Sequence, residues 1–206
     1  MVNQINKLRE ILLNPLPGES AQYRMAPEHR SRLSQTEVTN FRPSAVLLLL
    51  CYDEQGLYLP LIQRNSYDGA HSAQVSLPGG KFEKGDGNLE ATALRECREE
   101  IGIDQVEVLG RLSPLYIPVS GFLVHPFVGV CKQHSPIFVP QQREVQEILA
   151  LRARDLNGTQ LIKSGWIELG PSLKIKTPWY EVQGKKVWGA TAMILSEFSE
   201  IYAATL

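Results

Sequence analysis

Residues 78–103 read PGGKFEKGDGNLEATALRECREEIGI, and this stretch decides the fold. Its second half predicts a helix from about Leu89 to Ile101, with Gly102 placed to stop it and Asp86 or Asn88 available to cap its start. Within that helix Glu96 and Glu99 stand at i,i+3 and Glu96 and Glu100 at i,i+4, so three carboxylates share one face. Leu94, Cys97 and Ile101 fall on another face, suited to packing. Three like charges that close raise one another's proton affinity, a cost that a divalent cation relieves. Carboxylate oxygens are hard ligands suited to Mg²⁺ or Mn²⁺. Such an ion neutralises charge on a phosphate and acidifies an attacking water. Acidic triplets are also common on solvated helices, and it is the glycine approach that favours chemistry here. Pro78-Gly79-Gly80 ends an extended piece and lets backbone pass close to a bound phosphate. Arg95 is placed to pair with a neighbouring carboxylate and fix its rotamer, whereas Arg98 faces solvent.

Working outward, Ala45 to Cys51 is an apolar run bounded by Pro43 and Asp53-Glu54-Gln55-Gly56, which predicts a central strand turning into a second one over Leu57 to Gln63. Gln74 to Leu77, Glu107 to Leu112 and Phe122 to Cys131 read as further extended segments. Leu151 to Leu156 reads as a short helical turn, and Trp179 to Val182 with Lys186 to Trp188 as a hairpin about Gln183-Gly184. A helix over about Thr191 to Ala203 places Ile194, Phe198 and Ile201 on one face, and Asn3 to Leu13 predicts a shorter amphipathic helix. Glu19 to Thr39 is polar and reads as irregular or weakly helical. The turns between strands are too short for every connection to be a helical crossover. An α/β fold with a mixed sheet between helical layers is expected.

The chain has 206 residues and 43% apolar content, enough for one domain, read as residues 1–206 with an N-terminal helical extension over about 1–40. Twenty-one Lys and Arg against 22 Asp and Glu give a net charge of -1. No global field then draws the protein to nucleic acid or an anionic membrane, and affinity for phosphates must be local. Cys51, Cys97 and Cys131 lack paired zinc spacing and sit in apolar patterns, as expected of buried, reduced thiols. Neither a signal-type segment nor a run of membrane-spanning length is present in the sequence, so a cytoplasmic location is expected.

The run from Gly80 to Ile103, ending Arg95-Glu96-Cys97-Arg98-Glu99-Glu100-Ile101-Gly102-Ile103, resembles the Nudix box. The general pattern has a glutamate where Asp86 stands, and Arg95 arrives one residue later than that pattern places its arginine. The spacing of Glu96, Glu99 and Glu100 is intact. His71 to Gly80 with the longer loop, Leu61-Ile62-Gln63-Arg64, Val124 to Val128 and Trp188 to Ala192 are similar to the coenzyme A diphosphatases of that superfamily. The resemblance covers about Phe41 to Tyr202. It implies an αβα Nudix sandwich, Mg²⁺ or Mn²⁺ held by Glu96, Glu99 and Glu100, and attack of water on the anhydride of coenzyme A to release 3′,5′-ADP and 4′-phosphopantetheine. Pyrophosphatases of ADP-ribose, NADH or dinucleotides, and a Nudix-like module that binds a nucleotide without turnover, are the competing readings. A small-molecule substrate is expected, with a homodimer as a family expectation.

The candidate catalytic residues are Glu100, Glu99, Glu144 and Arg95. The base is open between Glu100 on the helix and Glu144 from across the cleft. Candidate substrate contacts are Arg64, which by resemblance lies near a diphosphate, His71, Gln74, Gly79, Gly80 and Lys81. Ser76 shares the alternatives of Gln74, loop orientation or an exposed strand face. His29, His125 and His134 show no zinc-like arrangement, and Trp166, Trp179 and Trp188 read as packing or as walls of a pocket.

Overall fold

A computed structural model describes residues 2–28, 30, 40–65, 74–170 and 173–206. In chain order the elements are α1 (Val2–Leu12), α2 (Glu19–Gln22), β1 (Arg42–Asp53), β2 (Gly56–Arg64), β3 (Val75–Ser76), β4 (Gly79–Lys81), α3 (Leu89–Ile101), β5 (Val106–Arg111), β6 (Leu115–Ile117), β7 (Phe122–His134), β8 (Val145–Arg152), β9 (Ile162–Gly170), β10 (Leu173–Val182), β11 (Lys185–Trp188) and α4 (Gly189–Ala203).

Among the described residues, eight strands join in one sheet, with β3-β2-β1-β7-β5 as its spine and β4, β6 and β8 pairing β1, β7 and β2. β1 runs parallel to β7 and antiparallel to β2, so the sheet is mixed, as expected. β1 is buried on both faces, which is why its sequence is a continuous apolar run and not an alternation. Its Ala45, Leu47, Leu49 and Cys51 pack with Ala93, Cys97 and Ile101 of α3. Leu48 and Leu50 pack on the opposite side with Leu8 and Leu12 of α1 and Met193, Ile194 and Phe198 of α4. Helices therefore cover both faces, giving the α/β sandwich.

Three expectations are corrected. Pro78-Gly79-Gly80 is more than a break, because Gly79 and Gly80 pair with Val46 and Ala45 of β1 as part of β4. The helical turn expected over Leu151 to Leu156 starts later: Leu151 and Arg152 complete β8, and Ala153–Asn157 form a 3-10 turn. β9 and the first half of β10 were not anticipated. β9 is exposed along nearly its whole length, and the hairpin is secured by cross-strand Lys174–Glu168 and Lys163–Glu181 pairs. Trp166 of β9 is 63% exposed and so does not pack, whereas Trp179 of β10 is buried.

The N-terminal helix forms as expected and buries Leu8 and Leu12. All three cysteines are free and buried, and burial pushes the Cys97 thiol up to about 12. Among the described residues no helix is long and apolar enough to cross a membrane.

Candidate active site

α3 starts at Asn88, whose side chain accepts the Ala91 N–H at 2.8 Å, and ends on Gly102 in the left-handed region at φ 76°. Asn88 and not Asp86 is thus its cap. Asp86 does something else. Its carboxylate accepts Arg95 Nε at 2.6 Å and Arg95 Nη2 at 3.1 Å, together with the Thr92 hydroxyl at 2.8 Å and the Glu83 N–H at 2.9 Å. The one-residue delay of Arg95 does not break this bond, because Lys84–Asp86 form a 3-10 turn and Gly87, at φ 74°, turns the chain into the helix.

Arg95 passes this anchoring on. Its Nη1 lies 2.9 Å from both Glu96 Oε1 and Glu99 Oε2, so one guanidinium nitrogen bridges two acids. Asp86 is held well below the usual carboxylate range, chiefly by its hydrogen bonds from Arg95. With its folded value depressed, Asp86 contributes stability that is fully present above the ordinary carboxylate range and is lost only as pH falls through that lower value. Asp86→Asn is expected to lose about 2 kcal/mol at neutral pH, the scale of a hydrogen bond to a charged group. Urea unfolding should show the gap to the wild type at pH 7 closing only in strong acid; equal stability at pH 7 would refute it.

Glu100 is set apart from the other two. Its side chain is 2% exposed, Oε2 accepts the Gly79 N–H at 2.8 Å, and Oε1 lies 3.1 Å from Arg64 Nη2 without making a hydrogen bond. Burial pushes this carboxyl up to about 7, opposed by Arg64 and the Gly79 N–H and reinforced by Glu96 and Glu144. Glu96 is also raised, mainly by burial and against the pull of Arg95. The expectation of three carboxylates acting from one shared surface is therefore refined. Glu99 is half exposed, Glu96 is tucked against β4, and Glu100 is buried with one oxygen on the Gly79 N–H of that strand.

The glycine approach explains how Glu96 fits. A Cβ on Gly80 would lie 2.5 Å from Glu96 Cδ, so the missing side chain is the space that the carboxylate occupies. Arg64, expected beside a diphosphate, also donates Nη2 to the Gly79 carbonyl at 3.0 Å, so its guanidinium contacts the site's own residues. Lys81 is exposed and lies 3.7 Å from Glu83. The Gln74 carbonyl accepts the Arg64 N–H at 3.0 Å, and Ser76 Oγ is buried with no hydrogen bond. Glu144 sits in a turn just before β8, close enough for its charge to act on Glu96 and Glu100. His71 and His29 lie outside the described residues. His125 is half-buried and its pKa is lowered by burial and by Arg111, while His134 packs edge-on to Tyr52.

Among the described residues no three acidic, His or Cys side chains converge as a finished metal shell. The donor set nonetheless suits a hard cation. It offers carboxylate oxygens at Glu96 and Glu99, already bridged by a positive nitrogen, and a buried Glu100 oxygen without a hydrogen bond. Sequence reasoning missed the Arg64–Glu100 contact and the bond from Asp86 to Arg95.

Residues 41–168 match the family model of the NUDIX domain. The chain belongs to the Nudix family. It is 33% identical over 167 residues to NudL of Yersinia enterocolitica, described as an uncharacterized Nudix hydrolase, across 78% of this chain and 82% of that protein. NudL of Yersinia pestis is 33% identical over 165 residues, 79% of this chain and 80% of its own. Among solved structures, a MutT/nudix family protein from Enterococcus faecalis superposes with a TM-score of 0.54 at 16% identity, covering 85% of this chain and 66% of that one. The Nudix hydrolase RenU from M. smegmatis gives 0.51 at 15% identity, covering 87% and 94%. These two share the fold. As a Nudix protein the chain is a hydrolase of the diphosphatase type.

Proposed function

We propose that this Nudix hydrolase cleaves the phosphoanhydride of a nucleoside diphosphate derivative, such as ADP-ribose, NADH or a dinucleotide, with coenzyme A as the narrower candidate. The observation that carries the reading is the acidic Nudix helix seated against a glycine strand: Gly80 leaves room for Glu96, and Gly79 donates to a buried Glu100. The coenzyme A candidate rests on the stretch leading into Gly80 and its longer loop, whose pattern is similar to that subgroup.

Glu96, Glu99 and Glu100 would hold Mg²⁺ or Mn²⁺, which supplies neutralisation of the anhydride oxygens and acidification of water. The protein's own residues do the rest. Arg95, braced by Asp86, keeps Glu96 and Glu99 in fixed rotamers, so no side-chain ordering remains for the moment of binding. Glu100, or Glu144 from the facing turn, takes the proton of the attacking water. Arg64 and Lys81 contribute positive charge toward the phosphoryl oxygens.

The test is incubation with ADP-ribose, NADH and coenzyme A under Mg²⁺ or Mn²⁺, with products identified by mass. Turnover is expected to vanish on chelation with EDTA and to return with either metal. AMP and ribose 5-phosphate from ADP-ribose would select the broader reading, and 3′,5′-ADP with 4′-phosphopantetheine from coenzyme A the narrower. Absence of hydrolysis across the panel in both metals would leave a nucleotide-binding module and overturn the proposal.

A further inference from the structure

Asn65 follows directly on Arg64, the last residue of β2, and makes two contacts to the turn bearing Glu144. The Asn65 N–H donates to the Glu144 carbonyl at 3.0 Å, and Asn65 Nδ2 donates to the Gln142 carbonyl at 2.8 Å. One side thus holds the 142–143 and 144–145 peptides. The other side is held by Gln141, whose N–H donates to the Glu100 carbonyl at 3.0 Å and whose carbonyl accepts the N–H groups of Glu144 at 3.0 Å and Val145 at 2.8 Å. The turn over 141–145 is therefore strung between the last turn of α3, which supplies Glu100, and Asn65, which follows directly on Arg64 at the end of β2.

Regular strand pairing accounts for only the backbone half of this placement. The register of β2 on β8 shifts between Gln63, which faces Glu147, and Arg64, which faces Val145. Past this irregularity Arg64 and Asn65 resume the pairing opposite Val145 and Glu144, and the side-chain bond to Gln142 adds a fastening that the ladder does not supply. Any residue but proline would supply the backbone donor to Glu144. The side-chain donor to Gln142 depends on the amide of Asn65.

We infer that Asn65 is a positioning residue for the reaction: by holding the Gln142 carbonyl it fixes the turn that carries Glu144 and that Gln141 ties to the Glu100 backbone. This rests on the proposed diphosphatase reading and on Glu144 serving it. Asn65 itself touches neither Glu96 nor Glu100 through any of these bonds, so its effect must pass through Glu144.

The experiment compares Asn65→Ala, Asn65→Asp, Glu144→Gln and the double variant Asn65→Ala/Glu144→Gln in the full chain. Turnover of ADP-ribose and coenzyme A is measured with Mn²⁺, alongside hydrogen exchange at the amides of 142–145. Asn65→Ala is expected to lower kcat on the order of tenfold with KM within about twofold, as a small misplacement of a reacting group does. Asn65→Asp, which keeps the shape but sets an oxygen against the Gln142 carbonyl, is expected to lose at least as much. Glu144→Gln alone should lower kcat by at least about tenfold. The double variant should be no worse than Glu144→Gln alone, because residues acting through one group are not additive. Exchange at 142–145 should quicken in Asn65→Ala while α3 stays protected.

Additive losses, or unchanged exchange at 142–145, would overturn the inference. Wild-type kcat in Glu144→Gln would overturn it too, by removing the group to be positioned, yet would leave the diphosphatase reading standing if Glu99→Gln still abolished turnover. Absence of turnover in the wild type would sink the diphosphatase reading instead, with the exchange data still deciding whether Asn65 holds the turn.

Discussion

Glu100→Gln is expected to lower kcat by between about 10²- and 10⁴-fold, the range for losing a group that moves a proton in the transition state. The thermal midpoint should stay within about 5 °C of the wild type, a change of roughly 1–2 kcal/mol in a protein of this size. The fold tolerates the change because the amide carbonyl can still accept the Gly79 N–H that Glu100 Oε2 accepts at 2.8 Å. The amide nitrogen then faces Arg64 Nη2, donor against donor, where the carboxylate had an ion pair at 3.1 Å. Against that loss stands the removal of a charge from a side chain that is 2% exposed, and burying an ionised carboxylate costs more than burying an amide. The two effects oppose each other and the remainder is small. Chemistry has no such compensation, since an amide is a poorer ligand for a hard cation and does not accept a proton near neutral pH. Steady-state turnover and differential scanning calorimetry on the same preparations check both halves. Glu144→Gln measured beside it decides the base, which is the residue whose loss is larger. Wild-type kcat in Glu100→Gln would remove it from both proposed roles.

Much of this site is legible in the chain because its spacing is local. Glu96, Glu99 and Glu100 lie within two helical turns, and the helix that carries them is marked at both ends, by Asn88 and by Gly102. β1 and β7 are legible for a related reason, since apolar runs bounded by polar turns admit few other structures. What the chain hides is whatever depends on distant partners. The pairing of Arg64 with Glu100 joins β2 to α3, and neither residue's neighbours in sequence announce it. The bond from Asp86 to Arg95 is masked by the extra loop residue, and it takes the 3-10 turn and Gly87 to bring the two together. β9 escapes because it lacks the apolar alternation by which a half-buried strand is read; its exposed surface is fastened to β10 by ion pairs and backbone bonds. β8 buries Val145, Leu149 and Leu151 in alternation yet is missing from the expected strands, and its last two residues fall in the helical turn expected over Leu151 to Leu156.

The two neighbouring glycines of β4 are expected to fail in different ways when each is given a single methyl group. In Gly79→Ala the new Cβ would lie 2.6 Å from Val46 Cα and equally crowd the Ala45 carbonyl, both backbone atoms of the central strand β1. Backbone in the middle of a sheet cannot step aside without breaking ladder bonds on both flanks, and β1 is paired to β2, β4 and β7. Gly79→Ala should therefore lose at least about 3 kcal/mol, the upper range for overpacking a close-packed interior. In Gly80→Ala the Cβ would lie 2.5 Å from Glu96 Cδ, which is the end of a side chain and can swing. Stability should fall by no more than about 1–2 kcal/mol. The displaced carboxylate, however, must leave Arg95 Nη1, the nitrogen that also holds Glu99, and so two of the three proposed ligands lose their fixed positions together. A misplacement of about 1 Å at a reacting centre costs on the order of 10²-fold in rate, which is the loss in kcat expected of Gly80→Ala. Urea unfolding and turnover measured on both variants separate the cases: Gly79→Ala should shift the unfolding midpoint strongly, and Gly80→Ala should lose rate while keeping its midpoint nearly unchanged. Gly80→Ala with wild-type kcat would mean that Glu96 does not act from the position β4 leaves for it. That result would count against the metal assignment even if Glu99 and Glu100 proved essential, because Glu96 is the acid whose place depends on the absence of a side chain at residue 80.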